Sequence, residues 1–289
     1  MADAVVFIPA RLAAACRQTA ERTAWLERLP DAIRELQDRW RLALEPPFDT
    51  GDVSCAWVAR AVRRDGTRAV LKLGMPHMEG THELDGLRFW NGDPTVSVLD
   101  ADPDLNAMLL ESCEPGLALR SRPELEQDVV LAGLLRRLWR KPIAPHPFRP
   151  LAAMTAFWAQ ETMAAARKWP DGGLVRDGLH VLDTLSRSSP EDMLLVTDLH
   201  AGNVLSARRE PWLVIDPKPF VGDRAYDATQ HLLNCRERML TDPDATIRRF
   251  ADLLEVDAER VRLWLFARSA AEPRDDWSED SFGLAYALA

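Results

Sequence analysis

Hydrophobic positions along the chain fall into two regimes, a mixed first half and a mostly helical second half. From Arg11 to Leu44 apolar residues recur at helical spacing, and Pro30-Asp31 marks the start of a second helix, so two helices are predicted before the Pro46-Pro47 break. Val53 to Val62 and Arg68 to Leu73 read as strands joined by Arg64-Asp65-Gly66, because Asp-Gly accepts the positive φ angles of a tight turn. Ala69-Val70-Leu71-Lys72 is then a strand that ends on a lysine. A helix follows from Met78 to Trp90 and stops at Asn91-Gly92, and the apolar runs Val96 to Leu99 and Ala107 to Leu110 make a second hairpin around Asp100 to Asp104. Beyond Pro115-Gly116 the period becomes helical, through Pro123 to Arg140, Pro150 to Lys168 and Val175 to Ser186. The boundary between two lobes is expected near Ser112 to Gly116.

Against this background one polar loop stands out, Thr197-Asp198-Leu199-His200-Ala201-Gly202-Asn203, between the apolar runs Leu194 to Val196 and Val204-Leu205. A further apolar run, Trp212 to Ile215, leads to Asp216. Phosphoryl transfer needs a carboxylate near the attacking hydroxyl and oxygen ligands that hold Mg²⁺ against nucleotide phosphates. Asp198 and Asn203 have the spacing of a kinase catalytic loop, in which the aspartate takes the hydroxyl proton and the asparagine binds metal. Asp216 sits where a second metal ligand is expected. With the base position filled by Asp198, His200 is read as a residue that orients the loop. Asp227 is read as support for the same loop and Asp223 as a helix cap.

Together with Ala69 to Lys72, His82 to Trp90, Leu109 to Gly116 and Ile215 to Asp223, this loop resembles the aminoglycoside phosphotransferase family, in its streptomycin 6-kinase and hydroxyurea phosphotransferase branch, from about Trp40 to Cys235. The resemblance implies an α+β, bilobal protein-kinase-like fold. Residues 1–112 would form a nucleotide-binding lobe with a mixed sheet-and-helix structure, and residues 113–289 a helical catalytic and substrate-binding lobe. It implies ATP and Mg²⁺ as cofactors. Lys72 would bind the α- and β-phosphates, held by Glu83, with Glu79 as the competing carboxylate. The linker Glu111-Ser112-Cys113 would offer backbone groups to adenine. Two departures stand out. Val196-Thr197 replaces the family's His-Gly, and the loop after Thr50 carries the single glycine Gly51, which leaves Ser54 as the candidate phosphate contact.

Composition narrows the partners. A formal net charge of −9 argues against a surface built to neutralise nucleic-acid phosphates and suits a cationic small molecule. Trp277, Glu279 and Asp280 near the C-terminus combine an aromatic ring with carboxylates and are candidates for contact with such an acceptor, the alternative being a frayed acidic tail. Cys16, Cys55, Cys113 and Cys235 have neither disulfide nor zinc-site spacing, and no apolar run approaches the roughly 20 residues of a membrane span. A cytoplasmic protein, monomeric or weakly dimeric, is expected. The reaction expected from these features is transfer of phosphate to a hydroxyl of a small molecule, an aminoglycoside such as streptomycin first. A kinase of another sugar, amino alcohol or nucleoside-like antibiotic and a nucleotide-binding pseudokinase are the alternatives.

Overall fold

The computed structural model describes residues 6–50 and 55–289, so Gly51 and Ser54 lie outside the described residues. In chain order it begins with α1 (Ala10–Cys16), α2 (Ala20–Trp40), β1 (Leu42–Pro47), β2 (Ala56–Arg63), β3 (Arg68–Gly74), α3 (Glu83–Trp90), β4 (Val98–Asp102) and β5 (Ala107–Glu111). Next come α4 (Glu124–Leu138), α5 (Leu151–Ala164), α6 (Gly172–Ser186), β6 (Asp192–Leu195), β7 (Val204–Ser206), β8 (Trp212–Val214) and β9 (Phe220–Asp223). The chain closes with α7 (Arg224–Asn234), α8 (Arg236–Thr241), α9 (Pro243–Leu254), α10 (Ala258–Ala271) and α11 (Gly283–Leu288). Among the described residues no helix is long and apolar enough to cross a membrane.

These elements form two compact units. The first holds the described residues up to Leu117 together with Leu205–Ile215, and the second holds Ala118–Val204 and Asp216–Ala289. A single cut after residue 112 therefore does not describe the chain. From Leu205 on, the β7–β8 hairpin belongs to the first unit because its backbone is bonded there: Gly116 N donates to Ser206 O, Ser206 N to Leu117 O, and Val214 exchanges bonds with Pro94 and Val96.

In the first unit an antiparallel sheet of order β1-β2-β3-β5-β4 carries a core on each face. Alternation puts Trp57, Ala59 and Ala61 of β2, Ala69, Leu71 and Leu73 of β3, and Leu109 of β5 against Leu12, Trp25, Leu29, Ile33 and Leu36 of α1 and α2. The intervening residues Val70, Met108 and Leu110 face Leu87 of α3, Val96 and Leu213 of β8. Lys72 shares this second face by the same alternation, opposite Met108 in register. The expected break at Pro30 is absent. The first helix ends at Cys16, Thr19 caps α2 by accepting from Arg22 N, and α2 runs through Pro30 to Trp40. An interior proline costs a helix about 3 kcal/mol, but the buried stripe Trp25, Leu29, Ile33, Leu36 continues on both sides of it, and that packing decides the outcome. Leu42 to Pro47, read from sequence as helix end and break, is strand β1; as a sheet edge it tolerates proline.

The second unit is mainly helical, around α10, whose Val261, Trp264, Leu265, Phe266 and Ala267 are buried. Gly178 lets α6 approach α10 closely: a Cβ there would meet the Ala270 Cβ at 2.6 Å. Strands β6 and β9 pair antiparallel, and Asp223 at the end of β9 caps α7 by accepting from Ala225 N. Its other carboxylate oxygen accepts from Arg260 and from Trp264 Nε1, tying this junction to α10.

Candidate active site

Two constellations carry the expected site residues, one in each unit. In the first, Lys72 of β3 is 8 % exposed and Glu83, the first residue of α3, is 5 % exposed. Lys72 Nζ lies 2.5 and 2.7 Å from the two Glu83 oxygens. A buried ion pair gains by its geometry and loses by desolvation, so its position on the covered face of the sheet is a cost that folding alone does not require. His82 Nδ1 faces Asp85 Oδ2 at 3.0 Å. Glu111 closes β5 and Cys113 packs beside the second core, where burial pushes its thiol up to about 12.

The second constellation is the loop between β6 and β7 with the residues that follow β8. Its backbone is held from below by Asp227 on α7. Val196 N and Thr197 N donate to the two Asp227 oxygens at 3.1 and 2.8 Å, and Trp139 Nε1 donates at 2.9 Å. Asp227 is 1 % exposed, and burial pushes its carboxyl up to about 6 while those three donors pull the other way. Thr197 stands at φ 52, a left-handed conformation in which a β-branched residue is strained. Its hydroxyl donates to Lys218 O at 2.7 Å, and Lys218 N donates to Val196 O at 2.9 Å. The threonine thus occupies a position that suits glycine, and its side chain stitches the loop to the 216–218 segment.

Within the loop, Asn203 Nδ2 donates to Asp198 O at 3.0 Å. With the amide nitrogen so engaged, Oδ1 is the atom left for a cation. Asn203 N donates to His200 O at 2.9 Å and Gly202 N to His200 Nδ1 at 3.1 Å, so His200 braces the turn between Asp198 and Asn203. Asp216, at φ 53, has Oδ1 2.6 Å from Lys218 Nζ. An amide oxygen and a carboxylate are hard oxygen donors, the set Mg²⁺ takes when phosphate oxygens and water complete its shell. Arg268 of α10 is buried at 4 % exposure and bonded to Thr229, Gln230 and Glu272. Burial works against its charge, but Glu272 first, and Asp198 more weakly, hold it well above the ordinary range.

Not every candidate joins these groups. Trp277 is not an exposed platform for stacking: it is 9 % exposed, with Arg274 5.4 Å over its ring and Phe282 at 6.0 Å. Glu279 and Asp280 are exposed at the start of a short helical turn, and the tail ends in α11, with Leu284, Ala285 and Leu288 buried, so it is not frayed. The residues that sequence reasoning missed are Trp139, Lys218 and the hydroxyl of Thr197. No local signal announces the bond that Trp139 makes to a residue 88 positions away. A buried group formed by Asp128, His231 and Cys235 also escaped notice. It is an ion-pair network, since Arg238 and Arg249 both reach the Asp128 carboxylate that faces His231.

Two expected results follow from this geometry. Thr197→Val keeps the strain, loses the hydroxyl and leaves Lys218 O without that donor, so unfolding should be easier by about 1–3 kcal/mol. Thr197→Gly relieves the strain as it loses the bond and should stay within about 1 kcal/mol of wild type in denaturant titrations. Asp227 sets a pH dependence. Its native value of about 6 lies above the ordinary 3.8, so the folded state holds the proton more tightly and stability falls as pH rises between those values. Thermal unfolding of wild type against Asp227→Asn should show the wild type losing ground across that window and a constant difference above it; parallel profiles throughout would contradict the raised value.

Comparisons with known proteins come to the same region of chain. The family model described as aminoglycoside/hydroxyurea antibiotic resistance kinase matches residues 39–276. A streptomycin 6-kinase of Streptomyces glaucescens is 37 % identical over 276 residues, covering 91 % of this chain and 89 % of the relative. A hydroxyurea phosphotransferase of Kitasatospora aureofaciens is 35 % identical over 281 residues, covering 92 % of this chain and 78 % of the relative. Among solved structures, a choline kinase from Streptococcus pneumoniae superposes with a TM-score of 0.58 at 12 % identity, covering 90 % of this chain and 98 % of that one, which is a likeness of fold.

Proposed function

This chain belongs to the aminoglycoside/hydroxyurea antibiotic resistance kinase family, an ATP-dependent small-molecule phosphotransferase, and we propose that it phosphorylates a hydroxyl of streptomycin or a closely related cationic aminoglycoside, with Asp198 as the base. The observation that carries the reading is the Asp198–Asn203 loop, in which the Asn203 amide nitrogen donates to the Asp198 carbonyl, so that the amide oxygen is the atom that would take the metal role. The acceptor class rests on the streptomycin 6-kinase relatives, and a net charge of −9 agrees with a cationic substrate.

In this reading the Asp198 carboxylate takes the proton as the acceptor oxygen attacks the γ-phosphorus, and the bond to the β-phosphate oxygen breaks to leave ADP. Lys72, kept in place by Glu83, holds the α- and β-phosphates, and backbone groups of Glu111 to Cys113 hold adenine. Asn203 and Asp216 would hold Mg²⁺, which neutralises charge on the phosphates when bound. Lys218, paired with Asp216, keeps that carboxylate fixed, and Asp227 keeps the loop backbone in register. No covalent intermediate on the protein is needed. A coupled assay of ADP release with ATP and Mg²⁺ against streptomycin, other aminoglycosides, hydroxyurea and choline tests the acceptor. Turnover that depends on streptomycin is expected; turnover with another panel member alone would reassign the acceptor, and nucleotide binding without turnover on any would favour a pseudokinase.

A further inference from the structure

Arg209, in the turn of the β7–β8 hairpin, has no part in the functional reading above, yet its guanidinium is the most heavily engaged at the end of β5. Nε donates to Glu111 Oε1 at 3.1 Å and Nη2 to Glu111 Oε2 at 2.9 Å, a fork on a carboxylate. Nη1 donates to Gly92 O at 2.7 Å and Nη2 again to Thr95 O at 2.9 Å. Glu111 Oε2 in turn accepts from Ser97 N at 3.0 Å, and Glu111 N donates to Ser97 O at 2.9 Å. One side chain therefore gathers three pieces of the first unit: the end of β5 where the linker begins, the segment after α3, and the hairpin itself. Glu111 holds Arg209 above, and Arg209 holds Glu111 below, their ordinary values, although burial opposes the charge on both.

The arrangement has a use beyond stability. Residues that merely decorate a surface form single exposed ion pairs of little energetic weight, as Arg208 does with Glu114. Arg209 instead spends its contacts on backbone carbonyls and on the one side chain that opens the Glu111-Ser112-Cys113 linker. Its hairpin also has a particular place in sequence. β7 begins one residue after Asn203 and β8 ends two residues before Asp216. We propose that Arg209 is a positioning residue for nucleotide binding: its clamp on Glu111, Gly92 and Thr95 holds the linker in the conformation that receives adenine. This rests on the reading of Glu111 to Cys113 as the adenine-binding linker.

The test is nucleotide affinity measured without an acceptor, by titrating the intact protein with a fluorescent ADP analogue, for wild type, Arg209→Ala, Arg209→Lys and the control Arg68→Ala, whose arginine pairs with Glu114 on the neighbouring surface. Arg209→Ala should weaken binding about tenfold. Arg209→Lys, which keeps the charge and loses the fork, should fall between it and wild type, and Arg68→Ala should bind as wild type does. In turnover, KM for ATP should rise with kcat and acceptor KM within twofold. If Arg209→Ala is too unstable to assay, Arg209→Lys and Glu111→Gln carry the test, each with an expected loss of threefold or more. Unchanged affinity in folded Arg209 variants, or a fall in kcat with KM for ATP unmoved, overturns the proposal. Failure of the wild type to bind nucleotide would instead remove the linker reading on which it stands.

Discussion

Replacing Asp198 by Ala or Asn should lower phosphoryl transfer by about 10²–10⁴-fold, the usual contribution of a positioned general base. The affinity for nucleotide should change little, because the side chain acts on the acceptor hydroxyl rather than on the phosphates. Geometry supports a selective effect. The backbone of the loop is fixed independently of the Asp198 carboxylate, by Asp227 acting on Val196 N and Thr197 N, by Asn203 acting on the Asp198 carbonyl, and by Thr197 acting on Lys218. The carboxylate can therefore be removed while the scaffold stays. Steady-state kinetics with a fluorescent-nucleotide titration beside them would check this, and a variant that keeps wild-type kcat would remove Asp198 from the catalytic role.

The second large effect concerns Lys72 and Glu83, and it separates stability from function. Both are nearly buried, so Lys72→Met takes away the ammonium that lies within 2.7 Å of both Glu83 oxygens. Breaking one side of a buried pair costs about 3–5 kcal/mol, and Glu83→Leu should cost a similar amount. Replacing both together, Lys72→Met with Glu83→Leu, removes both charges from a face already lined by Val70, Met108 and Leu87, and stability should return to within about 1–2 kcal/mol of wild type. Activity should not return, since the phosphates have lost their cation. Thermal unfolding and ADP release on the three variants check the two halves. A double variant that regains turnover would show that the pair serves the fold alone.

Much of the fold was legible because the chain's local signals agree with its packing. The Asp65-Gly66 turn, with Gly66 at φ 84, joins β2 to β3 where expected, and Asn91 and Gly92 end α3 in left-handed conformations. Where reading failed, a long-range contact had outweighed a local signal. Pro30 reads as a helix start, but the buried stripe of α2 continues past it. Pro46-Pro47 reads as a break, but Leu42 is buried and Leu42 to Leu44 pair with β2. The hairpin of residues 205–215 follows the Asp198–Asn203 loop in sequence, yet it bonds to residues about 100 positions earlier, which no periodicity encodes.

The site shows the same division. Asp198, Asn203 and Asp216 are candidates from their spacing and Lys72 and Glu83 from the family resemblance, and Lys72 contacts Glu83 directly. The supports were not visible. Val196-Thr197 departs from the family's His-Gly. In three dimensions Val196 is buried, its backbone is held by Asp227, and the Thr197 hydroxyl adds a bond that glycine lacks. Trp277 looked like a platform because aromatic and acidic residues sit together there, but the ring is the residue that buries the terminal segment against Arg274 and Phe282.

The central claim, direct transfer from ATP to a small-molecule hydroxyl through this loop, is tested most directly by following the phosphate itself. The protein is incubated with γ-labelled ATP, Mg²⁺ and streptomycin, and the label is located by chromatography and mass spectrometry. Label in an ester on streptomycin, formed by wild type and not by Asp198→Asn, is the expected result. Label released only as inorganic phosphate, or carried to streptomycin equally by both proteins, would contradict it.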